Sequence, residues 1–202
     1  RLTAAHCRAK ESMVRAVEAG IDLMEHAEFL DPDDRLRFDP ALAEMMAESG
    51  IYISPTLQAW TQYPRIVELE EKESADTISR AESDELQGLR GRMEVRLDVM
   101  RRMLDYGMHD RIVPGTDSGV GSLAFGHLDY DLRLLVMVGF SPAAALASAT
   151  RISSHAIGMS DELGTIEVGN VADLVAFDGD PTRDISAVSR VKAVFQAGVQ
   201  VM

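Results

Sequence analysis

Four times in succession the chain passes from a short apolar run into a stretch with helical spacing, and that alternation restricts the fold more than any other feature. Residues 1–7 read as a strand ending at His6; Lys10 to Ala19 follows as a helix, with Met13, Val14 and Val17 on one side and Gly20 as its stop. Ile21 to His26 is the second strand. Asp39-Pro40 then supplies an N-cap and a first helical residue, with Leu42, Met45 and Met46 turned inward and Gly50 past the end. Ile51 to Ser54 is the third strand, and Pro55 and Thr56 start its loop. Leu86, Leu89, Met93, Leu97, Met100 and Leu104 recur every three or four residues, a long amphipathic helix stopped by Gly107. Arg111 to Thr116 is the fourth strand, followed by a helix over 128–138 and another opened by Ser141-Pro142. Strands joined in series through helices lie parallel, with a right-handed crossover each time.

Between the third strand and the long helix, residues 58–83 are acidic and weakly patterned, and are expected to be a solvated insertion or a lid. Past Gly158 the character changes. Two strand-like runs meet at the turn Gly169-Asn170, and Val191 to Gln196 pairs with Val199 to Met202 about Gly198. The expected division is therefore 1–158, an α/β unit, and 159–202, a β appendage. Arg1 stands where a strand is already under way, so the chain is read as the C-terminal part of a longer protein.

Composition removes several functions. A net charge of −13 leaves no basic face for a nucleic acid, and no apolar run approaches the length of a membrane span. The single Cys7 rules out an internal disulfide and allows a reducing compartment, so a cytoplasmic setting is expected.

The chemistry gathers at strand ends. Arg111 to Gly121 runs from an apolar segment into a glycine-flanked turn carrying Asp117, the place where an α/β barrel puts catalytic groups. His6 and His26 each close a separate expected strand. In a closed parallel barrel those ends share one face, and two imidazoles with a carboxylate suit zinc or a similar divalent ion. The alternative is a core histidine, a strand-end histidine and a capping aspartate with nothing in common. His127, in the loop after the fourth strand, is a candidate substrate contact or a plain loop histidine. Glu25, which alternates away from His26, is expected in a structural ion pair. Trp60 and Tyr63 either wall a pocket or pack at the surface.

Ala5-His6, Glu25-His26-Ala27 and Gly115-Thr116-Asp117-Ser118-Gly119 resemble the fifth, sixth and eighth strand motifs of the amidohydrolase superfamily. The tail, Gly164 to Val175 with Asp178-Gly179-Asp180-Pro181, is similar to the closing segment of its imidazolonepropionase-like and Xaa-Pro dipeptidase-like branches. The resemblance implies strands five to eight of a (β/α)8 TIM barrel, with C-terminal strands of a small β-sandwich. It also implies hydrolysis of an amide, peptide or cyclic amide bond by a metal-activated water. His6, His26 and Asp117 would hold one or two divalent ions, zinc foremost, with Asp117 as proton shuttle. The partner implied is a small amide or dipeptide, and a homo-oligomer is allowed. The family's His-X-His pair and its strand-borne lysine have no counterpart here, and Lys10 lies in a helix. A non-catalytic fragment or pseudoenzyme is therefore the rival expectation.

Overall fold

The computed structural model describes residues 1–121 and 123–202. Three strands form a parallel sheet in the order β1–β2–β3: β1 is Ala4–Ala9, β2 is Leu23–Leu30 and β3 is Tyr52–Ser54. Helix α1, Lys10–Glu18, connects the first two, and α2, Pro40–Ser49, connects the second and third. The expected caps hold α2 in place. Asp39 accepts from the backbone N–H of Ala41 and Leu42 at 3.1 and 3.2 Å, and Gly50 ends the helix at a φ of 71°. That conformation costs glycine nothing and most residues about a kilocalorie or more.

Period-two alternation gives the sheet two faces. Cys7, Met24, Ile53 and Ile112 are buried and belong to the main core with Met13, Leu42 and Met46 of the covering helices. On the other face Leu23 and Tyr52 pack against a small second cluster of Val113, Ile152 and Ala156. The last two come from the chain after α7, Pro142–Ala147, which continues through a π-helical turn into α8, Ser153–Ala156.

Three expectations need correction. First, the acidic stretch after β3 is helical: α3 spans Leu57–Thr61 and α4 spans Tyr63–Ser74. Tyr63, Ile66 and Leu69 are buried at helical spacing, while the glutamates face outward and pair with Arg65, Lys72 and Arg90. The charge run was the exposed side of an amphipathic helix. The long helix α5, Arg80–Leu104, also starts earlier than its apolar stripe. Its Ser79 and Glu82 form a reciprocal capping box.

Second, the fourth strand is reduced to one parallel bridge, Ile53 to Ile112, with Val113 N–H donating to the Ile53 carbonyl at 2.8 Å. A 3-10 turn over Met108–Arg111 takes the first residue of the expected strand. Pro114 has no N–H to continue the ladder. The chain runs on to Asp117 without strand pairing.

Third, Gly169-Asn170 joins no hairpin. Residues 164–171 form a turn closed by the Asn170 side-chain amide on the Thr165 hydroxyl at 2.9 Å. The antiparallel sheet is β4, Leu174–Phe177, paired with β5, Val191–Gln196, and then β6, Val199–Gln200. The turn at Gly198 is as expected, with Ala197 and Gly198 both at positive φ, the backbone a tight hairpin requires. Between these sheets lies α6, Leu128–Val138, packed against α5 and α7. No helix among the described residues is long and apolar enough to cross a membrane.

Candidate active site

A cleft of about 490 Å³ opens on the sheet face opposite the main core, lined by His6, Glu25, His26, Ser54, Thr56 and Asp117 among others. It takes groups from each of β1, β2 and β3 and from the segment that follows the Ile112 bridge. Neither histidine is the last residue of its strand, since β1 runs on to Ala9 and β2 to Leu30. The regular ladder nevertheless stops there: pairing is in register up to Cys7–His26 and shifts between Cys7 and Ala9.

His26 reaches the cleft by breaking the strand's alternation. Successive residues should face opposite sides, yet Glu25 and His26 both line the cleft. The His26 backbone sits at a φ of +74°, and Ala27 at +48°, a conformation rare outside glycine and strained for a strand. Asp117 also lies in the left-handed region, at φ +52°, where the chain turns off its extended approach. Gly115, two residues earlier, passes so close to β3 that a Cβ there would lie 2.2 Å from Ser54 Oγ.

The His6 and His26 rings meet edge to face, with centroids 4.5 Å apart. Burial first, and the neighbouring imidazole of His6 next, hold His26 below its ordinary pKa, while Asp117, Glu25 and Glu28 pull the other way. The shift favours the neutral ring, the form in which an imidazole binds a cation. Thr56 Oγ1 lies 2.7 Å from His26 Nδ1, and the indole N–H of Trp60 points at the same nitrogen from 3.1 Å.

Behind His26 stands a buried ion network that the sequence reading missed. Glu28 accepts from Arg8 Nε and Nη2 at 3.2 and 3.1 Å through one oxygen. Its other oxygen lies 3.2 Å from Arg96 Nη1, an ion-pair contact without hydrogen-bond alignment. Both guanidiniums also sit over the Trp60 ring, at 4.2 and 5.6 Å from its centroid. The ion pair expected of Glu25 is absent among the described residues; the paired carboxylate is Glu28.

His127 does not line the cleft. It precedes α6, its ring stacks on Tyr130 at 5.0 Å, and its backbone carbonyl accepts from the Gln58 amide at 3.0 Å. Tyr63 is buried in the core, and Trp60 meets the site only through His26.

Two imidazoles and a carboxylate opening on one cleft are donors of the types that divalent ions take. Their chemistry fits such an ion, and Thr56 Oγ1 stands 2.7 Å from His26 Nδ1, within reach to orient the ring. Among the described residues, no three His, Cys, Asp or Glu side chains converge closely enough to enclose an ion.

An α/β protein with imidazole and carboxylate groups gathered beyond a parallel sheet is the class defined so far. The chain belongs to the amidohydrolase family, whose sequence model matches residues 2–201. It is 33% identical over 102 residues to the imidazolonepropionase of Shouchella clausii, a match covering 48% of this chain and 22% of that protein. With the ochratoxinase of Aspergillus niger it shares 24% identity over 195 residues, 96% of this chain and 36% of the other. A solved structure of a Xaa-Pro dipeptidase superposes with a TM-score of 0.70 at 29% identity, over 98% of this chain and 44% of that one. The chain therefore spans less than half the length of each.

Proposed function

We propose that the protein hydrolyses a C–N bond in a small amide, dipeptide or cyclic amide, with one or two divalent ions, zinc foremost, at the cleft. The observation that carries this reading is the meeting of His6, His26 and Asp117 at one cleft in a member of the amidohydrolase family. Relatives named imidazolonepropionase and Xaa-Pro dipeptidase support the substrate class. The parallel arc of β1, β2, β3 and the Ile112 bridge then corresponds to strands five to eight of a (β/α)8 barrel, with residues 159–202 as the β appendage.

His6, His26 and Asp117 would hold the ion. When bound, the ion supplies an acidified water, whose pKa falls to about 7. Asp117 takes a proton at its carboxylate and returns it to the departing nitrogen. Thr56 orients the His26 ring, and the wall of Leu23, Val113 and Ala156 excludes bulk water from one side.

Chelation abolishes turnover, and Asp117→Asn lowers kcat by about 100-fold or more, the usual worth of a positioned acid–base group. Full activity of a metal-free preparation would end the reading. The incomplete donor shell favours a second one, a non-catalytic fragment. Metal analysis separates the two, since that fragment would take up no stoichiometric zinc.

A further inference from the structure

The segment that carries Asp117 is fastened at both ends to β3 and its continuation. At the near end Val113 N–H donates to the Ile53 carbonyl at 2.8 Å, and Gly115 lies against Ser54. At the far end, where the segment enters α6, the Gln58 side-chain nitrogen donates to the His127 carbonyl at 3.0 Å. The same nitrogen donates to Asp131 Oδ2 at 2.5 Å, and the Gln58 backbone N–H donates to Asp131 Oδ1 at 3.2 Å. A side-chain amide nitrogen carries two hydrogens, and both are used here. A carbonyl cannot donate, so the contact with His127 fixes which end of the Gln58 amide faces Asp131. Both Asp131 oxygens therefore accept, and both residues are buried.

The pair also replaces a helix cap. The first N–H groups of α3 need acceptors, and Thr56 at its N-cap position offers none from its side chain. Asp131, 73 residues away in sequence, accepts from one of them instead. The Thr56 hydroxyl is left to face His26 Nδ1 at 2.7 Å. Thr56 and Trp60, on either side of Gln58, both touch His26, whereas His127 and Asp131 close the segment that begins at Asp117. One pair of side chains thus joins the two sides of the cleft.

We propose that Gln58 and Asp131 are positioning residues that set where Asp117 stands relative to His26. Neither lines the cleft, so both act only through the segments they fasten. Between its two ends the Asp117 segment is braced by its own bonds, Gly119 N–H to the Leu123 carbonyl at 3.0 Å and the Ser118 hydroxyl to the Ala124 carbonyl at 3.1 Å. A displacement at His127 is therefore carried back toward Asp117. The inference rests on reading His26 and Asp117 as site groups.

Exchanging donor and acceptor tests the pair. Gln58→Glu keeps the shape and removes both donated hydrogens, and Asp131→Asn keeps the shape and removes the charge. In the double variant the new amide donates to the new carboxylate, and the net charge is again that of the native chain. Nitrogen relaxation reads the segment directly. The native Gly119 amide has an order parameter near about 0.85; in each single variant it falls below about 0.6, while Val113 stays rigid. Zn2+ affinity falls about tenfold in each, the worth of a hydrogen bond to a charged group. The double variant regains part of both losses, since the His127 carbonyl still lacks its donor. Should Gln58→Glu fail to fold, Asp131→Asn carries both readouts alone. Unchanged order at Gly119 overturns the fastening, and so does equal loosening at Val113 or a double variant no better than the singles. A loosened segment with native Zn2+ affinity overturns the positioning role. Failure of Zn2+ to bind the native chain overturns the ligand reading and the positioning role with it, and the order parameters still decide whether the pair fastens the segment.

Discussion

Gly115 and Ser54 approach so closely that a single methyl group cannot be placed between them: a Cβ at 115 would lie 2.2 Å from Ser54 Oγ and 3.5 Å from its Cβ. The contact presses the segment leading to Asp117 onto the end of β3, which replaces the ladder that Pro114 interrupts. The clash is with one atom, so removing that atom should relieve it. Gly115→Ala is expected to destabilise by about 1–3 kcal/mol, the usual cost of overpacking. Adding Ser54→Ala should recover most of the loss. Urea unfolding of both single variants and the double closes the cycle, and purely additive effects would show that the two positions do not meet.

Glu28 holds the second structural bet. Its side chain is fully buried between Arg8 and Arg96, and Arg96 is itself buried, its pKa lowered chiefly by desolvation. Glu28→Ala strands the Arg96 charge in the interior and should cost about 3–5 kcal/mol. Replacing Arg96 by Met in the same chain removes that charge and should restore a large share. Thermal unfolding reads both, and an Arg96→Met variant that adds to the damage would refute the account.

Asp131, in the first turn of α6, is buried and pushed up to about 7 by desolvation, against hydrogen bonds from Gln58 and Leu57 that favour its charge. A carboxyl whose folded pKa exceeds its unfolded value binds its proton better when folded. Its contribution is complete below pH 4 and declines as pH rises to about 7, by up to about 4 kcal/mol at roughly 1.4 kcal/mol per unit. Exposed pairs such as Lys72–Glu82 tilt the opposite way, with Glu82 held down to about 2. The diagnostic quantity is therefore the difference between the native chain and Asp131→Asn, measured from pH 4 to 8. A constant difference would place the charged form in the fold at all pH values.

If His6 is a ligand, His6→Asn should weaken Zn2+ binding by at least about tenfold, since even outer partners of metal ligands are worth that much. Its ring packs on His26 at the open side of the cleft, so unfolding should shift little. Calorimetric titration paired with a melting curve tests both halves. Equal Zn2+ affinity in the two chains would remove His6 from the site.

Much of the fold was legible because its signals are local. Asp39-Pro40 and Ser141-Pro142 cap the helices they were expected to cap, and Ser141 accepts from the Ala144 N–H at 3.1 Å. Leu86, Leu89, Met93, Leu97 and Met100 are all buried along α5. The tail's Gly198 turn followed from backbone chemistry alone. What failed did so where a neighbour, rather than the local run, decides the outcome. Tyr63, Ile66 and Leu69 form a buried stripe that Glu68 and the glutamates just after Leu69 conceal. Ile166 and Val168 look like strand residues and are exposed, and among the described residues no strand pairs with them.

The chain's own order of residues determined the first strand–helix units, the capped helix starts at Asp39 and Ser141 and the family, since periodicity, caps and motif spacing are written one turn or one strand at a time. Tertiary structure decided that Glu25 and His26 share a face, that Trp60 bonds to His26 and that Glu28 is the paired acid. Each depends on a positive φ or on side chains distant in the sequence. Such choices are settled by which backbone strain the packed neighbours can hold in place, and no local pattern encodes that.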